Sequence, residues 1–293
     1  MKKNKLRKSG YIALLGRTNT GKSTLVNAMV GEKVAIVSEK PQTTRKRILG
    51  IKTSERGQLV FFDCPGVHQP FFKLNERMMK DVHGALAEAD IILSFRNVTD
   101  ERRDETLLSI LPPPGRKQVF LIINKIDLLS KAKILTLIDR HRDDYPWTEI
   151  VPISALKGDN LELLENLILK YLPPGENFYP EDEFTMQSAN FYLAELIREQ
   201  LLAVIKEELP YTTMVKIEET RESGKTFYIR AEILVETRSQ KKIVIGRSGR
   251  LLRTIGLNAR LAIEAYLERP VYLDLFVRIV KDWRNSVREL NTD

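Results

Sequence analysis

The segment Gly16-Arg17-Thr18-Asn19-Thr20-Gly21-Lys22-Ser23 is the strongest indicator of the fold of the first half of this chain. An apolar run at 11–15 precedes it, and residues 24–30 follow it with the apolar spacing of a helix. The pattern therefore predicts a strand, a loop and a helix in direct succession.

This loop is suited to wrapping a polyphosphate. Gly16 and Gly21 let several backbone N–H groups converge on phosphate oxygens at the positive end of the following helix. Lys22 supplies a positive charge to the outer phosphates, and the Ser23 hydroxyl can ligate magnesium. We therefore predict that all of 16–23 binds a nucleotide.

A second segment, Asp63-Cys64-Pro65-Gly66-Val67, follows the buried run at 58–62. A carboxylate at the end of a strand beside a phosphate loop can hold magnesium, usually through water, and the Gly66 N–H can meet the terminal phosphate. Between the two segments lies a polar loop, 38–47, without periodicity. A threonine in this loop can complete the magnesium shell only when a third phosphate is bound.

A third segment, Asn124-Lys125-Ile126-Asp127, indicates the base. The Asp127 carboxylate can accept hydrogen bonds from both the ring N–H and the exocyclic amine of guanine, whereas adenine offers the opposite pattern. Lys125 can lie along the base, and Asn124 can tie this loop to the phosphate loop. The backbone N–H groups of Ser154-Ala155-Leu156, after a strand at 150–153, can donate to the guanine carbonyl oxygen.

Together these segments predict a GTP-binding domain of the P-loop type. Its fold class is α/β, with a mixed, mostly parallel sheet and helices on both faces. Helical spacing at 75–89, 102–111, 131–142 and 160–171, and a strand at 89–94, complete this prediction.

Length and composition favour two globular domains. The chain has 293 residues, of which 43% are hydrophobic and 29% charged. No run approaches the roughly 18 apolar residues that cross a bilayer. The single cysteine, Cys64, cannot form an internal disulfide, which suits a reducing cytoplasm. The net charge of +8 falls within 1–176, with 29 basic against 21 acidic residues, so any basic surface in the second half must be local.

Such a local surface occurs at 237–263, which contains seven basic residues and no acidic one. It includes a Gly-x-x-Gly turn, Gly246-Arg247-Ser248-Gly249. The predicted order around it is helix 189–208 (stopped by Pro210), strands 214–219 and 226–236, helices 251–255 and 258–267, and strand 271–280. This order predicts a smaller α+β domain whose turn lets a nucleic-acid backbone approach a groove for about four single-stranded nucleotides. The candidate RNA-binding residues are Lys241, Lys242, Ile245, Gly246, Arg247, Ser248, Gly249 and Arg250.

The predicted boundaries are a basic tail at 1–9, the GTP-binding domain at 10–175, a linker at 176–185 and the RNA-binding domain at 186–293. The linker prediction rests on a stretch rich in proline and acidic residues that begins at Leu172.

The combined motifs resemble the Era family of bacterial GTPases, which carry a C-terminal type II KH domain. The resemblance rests on 16–23, Pro41-Gln42-Thr43-Thr44-Arg45, Asp63-x-Pro65-Gly66, Asn124-Lys125-x-Asp127, Ser154-Ala155, Tyr179-Pro180-Glu181-Asp182 and Ile245-Gly246-Arg247-Ser248-Gly249. Two positions depart from the pattern: Cys64 replaces a usual threonine, and Arg247-Ser248 fills the KH turn differently from many relatives.

The resemblance implies a GTP hydrolase that cycles between GTP and GDP, with Lys22, Thr44 and Gly66 as its catalytic residues. It implies direct magnesium ligation by Ser23 and Thr44, ligation by Asp63 through water, and potassium at Asn19. The implied partners are the 3′ region of 16S ribosomal RNA and the 30S subunit, in whose assembly and RNA processing the family acts. It further implies a cytoplasmic monomer that can associate with the inner face of the cell membrane.

The position after Gly66, where many GTPases carry a glutamine that orients water, is Val67. A valine cannot orient water by hydrogen bonding, so we predict slow intrinsic turnover aided by backbone groups, potassium or the RNA-bound partner.

The sequence leaves two alternative functions open. One is a passive RNA-binding adaptor whose nucleotide site only stabilises the fold. The other is a GTPase of tRNA modification, although such proteins usually need a C-terminal cysteine, which this sequence lacks.

Overall fold

The structure is a computed structural model that describes residues 7–68, 70–99, 103–205 and 209–290. It divides into two compact units, the first ending at 186 and the second beginning at 187, with 71–74 grouped with the second. None of the helices in these described ranges has the length and apolar character needed to cross a lipid bilayer.

The first unit alternates strands and helices. Its elements are β1 (Lys8–Leu15), α1 (Lys22–Val30), β2 (Ile48–Ser54), β3 (Gly57–Asp63), α2 (Lys73–Glu88), β4 (Ile91–Asn97), α3 (Glu105–Ser109), β5 (Gln118–Asn124), α4 (Lys131–His141), β6 (Glu149–Ile153) and α5 (Leu161–Tyr171).

The six strands form one sheet in the order β2-β3-β1-β4-β5-β6, in which only the β2–β3 pair is antiparallel. Alternate residues of β1 face opposite sides: Ile12 packs in a core with α1 and α5, and Ala13 in a core with α2 and α3. The parallel strands therefore end at one edge, where the three predicted motifs meet. The predicted mixed sheet with helices on both faces is confirmed.

The second unit contains α6 (Ala189–Val204), α7 (Leu209–Thr212), β7 (Met214–Ser223), β8 (Thr226–Val235), α8 (Arg238–Ile245), α9 (Arg250–Leu267), β9 (Val271–Ile279) and α10 (Val287–Leu290). Its sheet has the order β7-β8-β9, with β7–β8 antiparallel and β8–β9 parallel. The inward residues of β8, such as Ile229 and Ile233, pack in one core with Ile197 of α6 and Ile255 and Ile263 of α9.

Several predicted elements in the second unit are corrected. α6 ends at Val204, because Ile205 is extended, and Pro210 lies within α7 instead of stopping α6; residues 206–208 lie outside the described residues. The helices predicted at 251–255 and 258–267 form the single helix α9. The stretch before the Gly-x-x-Gly turn is also a helix, α8, which begins with a capping box between Thr237 and Gln240.

Corrections also apply to the first unit. The edge strand β2 was not predicted, and α3 is shorter than the helix predicted at 102–111, whose first residue lies outside the described residues. The tail predicted at 1–9 is wrong at its end, since Lys8 and the buried Ser9 belong to β1; residues 1–6 lie outside the described residues.

The segment predicted as a linker, 176–185, packs on the first unit. The Gln58 side chain accepts from the backbone N–H groups of Phe178 and Tyr179 and donates to the Tyr179 carbonyl. The Phe184 carbonyl accepts from Ile51 N at 2.8 Å. Backbone hydrogen bonds and an aromatic stack of Phe178 on Tyr11 hold this segment against β1, β2 and β3.

Candidate functional site

The loop between β1 and α1 has a backbone that requires its glycines. Gly21 has φ of 89°, and a Cβ there would lie 2.2 Å from Asn124 Nδ2. A Cβ at Gly16 would lie 2.8 Å from the Phe95 Cβ. Because α1 begins at Lys22, the unpaired N–H groups of its first turn adjoin this loop and make it suited to an anion.

Lys22 lies beneath the loop. Its Nζ is buried and donates to the Gly16 carbonyl at 3.3 Å and the Arg17 carbonyl at 2.8 Å. Burial lowers the pKa of Lys22, while the charge of Asp63 acts in the opposite direction. The ammonium therefore lies at the loop, where a phosphate could compensate its charge.

Three oxygen-bearing side chains converge beside it. Ser23 Oγ lies 2.5 Å from Asp63 Oδ2 and 3.0 Å from Thr44 Oγ1, and Thr44 Oγ1 lies 3.2 Å from the same carboxylate oxygen. The other oxygen, Asp63 Oδ1, is buried without a hydrogen-bond partner among the described residues. Burial raises the pKa of Asp63, opposed by Lys22 and the two hydroxyls. Hard oxygen ligands and an unpaired buried carboxylate oxygen fit a magnesium ion.

At the other end of the cleft, Asn124 connects the motifs as predicted. Its Nδ2 donates to the Thr20 carbonyl at 2.8 Å, and its Oδ1 accepts from Ala155 N at 3.0 Å. Asp127 lies in a one-turn 3-10 helix, and its Oδ1 accepts from Ser154 Oγ at 2.6 Å. The carboxylate is thus held by one hydrogen bond, which leaves acceptor sites on both oxygens for a base.

The amides predicted to meet the guanine carbonyl divide into two groups. Ala155 N donates to Asn124, and Ser154 N donates to the Asp159 carbonyl at 3.2 Å. Of the three, only Leu156 N has no acceptor within the described part of the chain. Leu156 N is therefore the one of these three amides that we predict to donate to the guanine carbonyl oxygen. Ser154 and Ala155 instead hold Asp127 and Asn124 in place.

The two ends line one cleft of about 430 Å³, a volume suited to a small ligand. Predicted residues that line it are Thr18, Asn19, Gly21, Lys22, Ser23, Thr44, Gly66, Asn124, Lys125, Asp127, Ser154, Ala155 and Leu156.

In the second unit, the Gly-x-x-Gly turn joins α8 to α9. Gly246 has φ of 73° and ψ of 174°, and a Cβ there would lie 2.6 Å from the Leu251 Cβ, so only glycine fits. Gly249 has φ of 73° with no atom within 4 Å of an added Cβ. Arg247, Ser248 and Arg250 are exposed.

The basic side chains around this turn differ from other basic side chains of the second unit in their ion pairing. Arg198, Lys216, Arg278 and Arg284 each pair with a carboxylate. In contrast, the cations between 238 and 253 form no ion pair with the described residues; they are Arg238, Lys241, Lys242, Arg247, Arg250 and Arg253. This unpaired positive surface is suited to a polyanion.

Comparison with known proteins finds matches for both units. Residues 11–125 match a family model of 50S ribosome-binding GTPases, and 208–284 match a KH domain. The crystal structure of a point variant of Aquifex aeolicus Era bound to GDP.AlF4- is 41% identical over 97% of each chain, with a TM-score of 0.92. The chain belongs to the Era family. A structure of Era in complex with MgGDPNP and nucleotides 1506–1542 of 16S ribosomal RNA shows the same identity and coverage, with a TM-score of 0.93.

Membership of the Era family confirms the predicted class, a P-loop GTPase that hydrolyses GTP and carries a C-terminal KH domain. The tRNA-modification alternative is not supported, because the match extends through the KH domain over nearly the whole chain.

Three side chains of this Era-family site turn away from the nucleotide cleft, although all were predicted as nucleotide-binding. Cys64 and Val67 are buried at 1% and 2% exposure in the core beneath α2. Arg17 directs its guanidinium to Asp104. Cys64 and Val67 have side chains in the core, and Arg17 is paired with Asp104. All three residues can therefore contribute only backbone groups to nucleotide binding. Burial also raises the pKa of the Cys64 thiol, which keeps it protonated.

The remaining loop residues have structural contacts. Pro65 is buried, and Thr20 Oγ1 donates to the Arg17 carbonyl at 3.0 Å. Asn19 donates through Nδ2 to the Glu39 carbonyl at 2.5 Å. This contact connects the phosphate loop to the polar loop at 38–47.

Sequence reasoning missed part of the cleft. Val37, Ser38, Glu39, Gln42 and Leu128 line it but were not candidates. Ser38, Glu39 and Gln42 lie in the aperiodic polar loop at 38–47, where Gln42 is also part of the Pro41–Arg45 motif, while Val37 precedes that loop and Leu128 directly follows Asp127.

Proposed function

We propose that this protein is a GTP-dependent switch that binds the 3′ region of 16S ribosomal RNA through its KH domain. In this role it acts in assembly of the 30S subunit and in 16S RNA processing. The observation that carries the proposal is the relative solved with MgGDPNP and 16S nucleotides 1506–1542, which matches 97% of this chain. The two sites described above supply the corresponding chemistry.

Magnesium fits the cluster of Ser23, Thr44 and Asp63 because their oxygens converge and one buried carboxylate oxygen lacks a partner among the described residues. We assign direct ligation to Ser23 and Thr44, and ligation through water to Asp63. When bound, the ion would compensate phosphate charge. Because Thr44 lies in the polar loop, its ligation would make that loop respond to the third phosphate.

Other residues of the chain contact the phosphates and the base. Lys22 offers its ammonium to the outer phosphates, and the Gly66 N–H donates to the terminal phosphate. Asp127 reads guanine, and Leu156 N donates to its carbonyl oxygen. With Val67 buried, no side chain at that position orients water, so intrinsic turnover is slow. We also assign a potassium ion to Asn19, where it would aid turnover.

RNA binding is assigned to the turn and its unpaired cations. Gly246 and Gly249 let the RNA backbone approach, while Arg247 and Arg250 neutralise phosphates. Ser248, Ile245, Lys241 and Lys242 complete the assigned set. We also propose a cytoplasmic monomer that contacts the inner face of the membrane peripherally; the single cysteine supports the reducing compartment.

Nucleotide-dependent RNA affinity is the test of the switch. We expect the affinity for a single-stranded RNA of the 16S 3′ sequence to differ at least about fivefold between the GTP-analogue and GDP states, the lower end of typical coupling. Fluorescence anisotropy with saturating nucleotide measures it. Equal affinities would instead establish the passive adaptor, since a ligand shifts an equilibrium only by its differential affinity.

Gly249→Asp tests the RNA site without disturbing the fold. Aspartate tolerates a positive φ, and the space around Gly249 is open, so the domain should stay folded. The added negative charge faces the RNA backbone, and we expect at least about a tenfold loss of RNA affinity, or about 1.4 kcal/mol.

The matched control is Gly249→Asn, which adds nearly the same shape without the charge and should retain most of the affinity. GTP hydrolysis without RNA should be unchanged in both variants. Equal RNA binding by Gly249→Asp and the unmodified protein would place the RNA site elsewhere.

A further inference from the structure

We propose that Arg17 and Asp104 form a positioning pair that fixes the backbone of Gly66 and Val67 for GTP hydrolysis. The proposal deepens the assigned GTPase activity and rests on it. The Arg17 guanidinium forms a bidentate pair with Asp104, from Nε to Oδ2 at 2.7 Å and from NH2 to Oδ1 at 2.8 Å. Such a pair fixes orientation as well as charge.

The same guanidinium reaches the segment after Asp63. Arg17 NH1 donates to the Val67 carbonyl at 3.4 Å, and Val67 N donates to the Gly16 carbonyl at 3.0 Å. Both polar backbone groups of Val67 are therefore held by two adjacent residues of the phosphate loop. The Arg17–Asp104 pair fixes one of these two contacts.

This arrangement bears on hydrolysis because the Val67 side chain is buried and cannot orient water. The groups that remain at this position belong to the backbone of Gly66 and Val67. Gly66 also lies against the phosphate loop, since an added Cβ would be 2.7 Å from Thr18 N. A small displacement of this backbone would change the alignment of its N–H donors with the terminal phosphate. The rate of hydrolysis is sensitive to that alignment.

Asp104 is itself held in place. It caps α3 by accepting from Leu107 N at 3.0 Å, and its Oδ2 lies 3.2 Å from NH1 of Arg96. Arg96 is buried, and its Nε and NH2 have no partner among the residues described. Burial acts to raise the pKa of Asp104, but the hydrogen bonds from Arg17 and Leu107 outweigh it and keep that pKa below its usual value. Asp104 is thus a charged carboxylate between two arginines.

Asp104→Asn tests the pair. Asparagine still caps α3, yet its amide nitrogen cannot accept from Arg17. In single-turnover assays of the full chain with saturating Mg·GTP, we expect the hydrolysis rate to fall by about 10- to 100-fold. GDP affinity should be nearly unchanged, because GDP lacks the terminal phosphate.

The matched control is Glu105→Gln, which removes one negative charge from the next residue. Glu105 is exposed and pairs only with Arg103 among the described residues, so this variant should hydrolyse GTP normally. Arg17→Lys keeps the positive charge without the bidentate geometry and should reproduce the loss. The double variant should lose no more than either single one, because both break the same pair.

An unchanged hydrolysis rate in folded Asp104→Asn and Arg17→Lys would overturn the proposal. It would also be overturned if GTP and GDP affinities fell equally while bound GTP reacted at the normal rate, since the pair would then only stabilise the fold. Unmodified protein that binds GTP without hydrolysing it would contradict the GTPase assignment itself, which the control assay detects separately.

Discussion

Replacing Lys22 with alanine is expected to weaken GTP binding by about 10³-fold, equivalent to about 4 kcal/mol. The Lys22 ammonium is buried at the phosphate loop, where the Gly16 and Arg17 carbonyls and the charge of Asp63 compensate it. A bound triphosphate gains most from a desolvated positive charge at this place. Calorimetric titration with a non-hydrolysable GTP analogue measures the loss.

Lys22→Ala could also relax the loop, because Lys22 holds two of its carbonyls. Lys22→Met keeps most of the side-chain volume without the charge and should show a similar loss of affinity. Lys133→Ala, which removes the same charge from the exposed face of α4, is the matched control and should bind normally. Unchanged GTP affinity in both Lys22 variants would exclude Lys22 from the assigned role.

Four of the parallel strands, β1, β3, β5 and β6, were predictable because each is a buried apolar run that ends at a motif. β1, β3, β5 and β6 all lie within a few residues of their predicted bounds. The edge strand β2 was missed because polar residues such as Lys52 and Thr53 interrupt its apolar pattern, and its pairing with β3 is a tertiary contact. Its position as an antiparallel edge explains why it needs no continuous apolar run.

In the second unit too, the apolar pattern alone does not predict the helices correctly. α8 carries Ile243, Val244 and Ile245 in succession, which reads as an apolar stretch, although Val244 alone of the helix is buried. Its start is marked by the capping box of Thr237 and Gln240, a local pattern that the sequence does contain. The helices predicted at 251–255 and 258–267 leave out Gly256 and Leu257, yet α9 is continuous through both, and a Cβ added at Gly256 would lie 3.9 Å from Leu275 Cδ2 of β9.

The site shows which roles a motif can predict. The predicted contact of Asn124 with the phosphate loop is present, whereas the hydrogen bond from Ser154 to Asp127 was not predicted, because the motif chemistry specifies only the base as the partner of Asp127. The pairing of Arg17 with Asp104 spans 87 positions, and no local pattern encodes it. The same holds for the burial of Val67, which depends on residues of α2 and α3 in the same core. The sequence therefore predicts the groups that face the ligand more successfully than it predicts the residues that hold those groups in position.

Asp127→Asn is expected to invert the base preference of the cleft. One Asp127 oxygen accepts from Ser154 and keeps a second lone pair, so both carboxylate oxygens can accept from the base. An ionised carboxylate accepts from both N–H groups of guanine, whereas an asparagine amide offers one acceptor and one donor. Xanthine replaces the exocyclic amine with a carbonyl and matches the amide. We expect the ratio of GDP to XDP affinity to change by about 10⁴-fold, as in sites that discriminate through buried polar groups.

Competition of GDP and XDP against a fluorescent nucleotide measures this ratio in one assay, and it separates the base contact from loss of folding. A misfolded variant would lose both nucleotides, whereas a changed contact loses GDP and gains XDP. Asp139→Asn, a neutralisation on the exposed face of α4, is the matched control and should keep the guanine preference. If Asp127→Asn also kept that preference, the base would have to be read by other groups of the cleft, such as Lys125 and Leu156 N, which both line it.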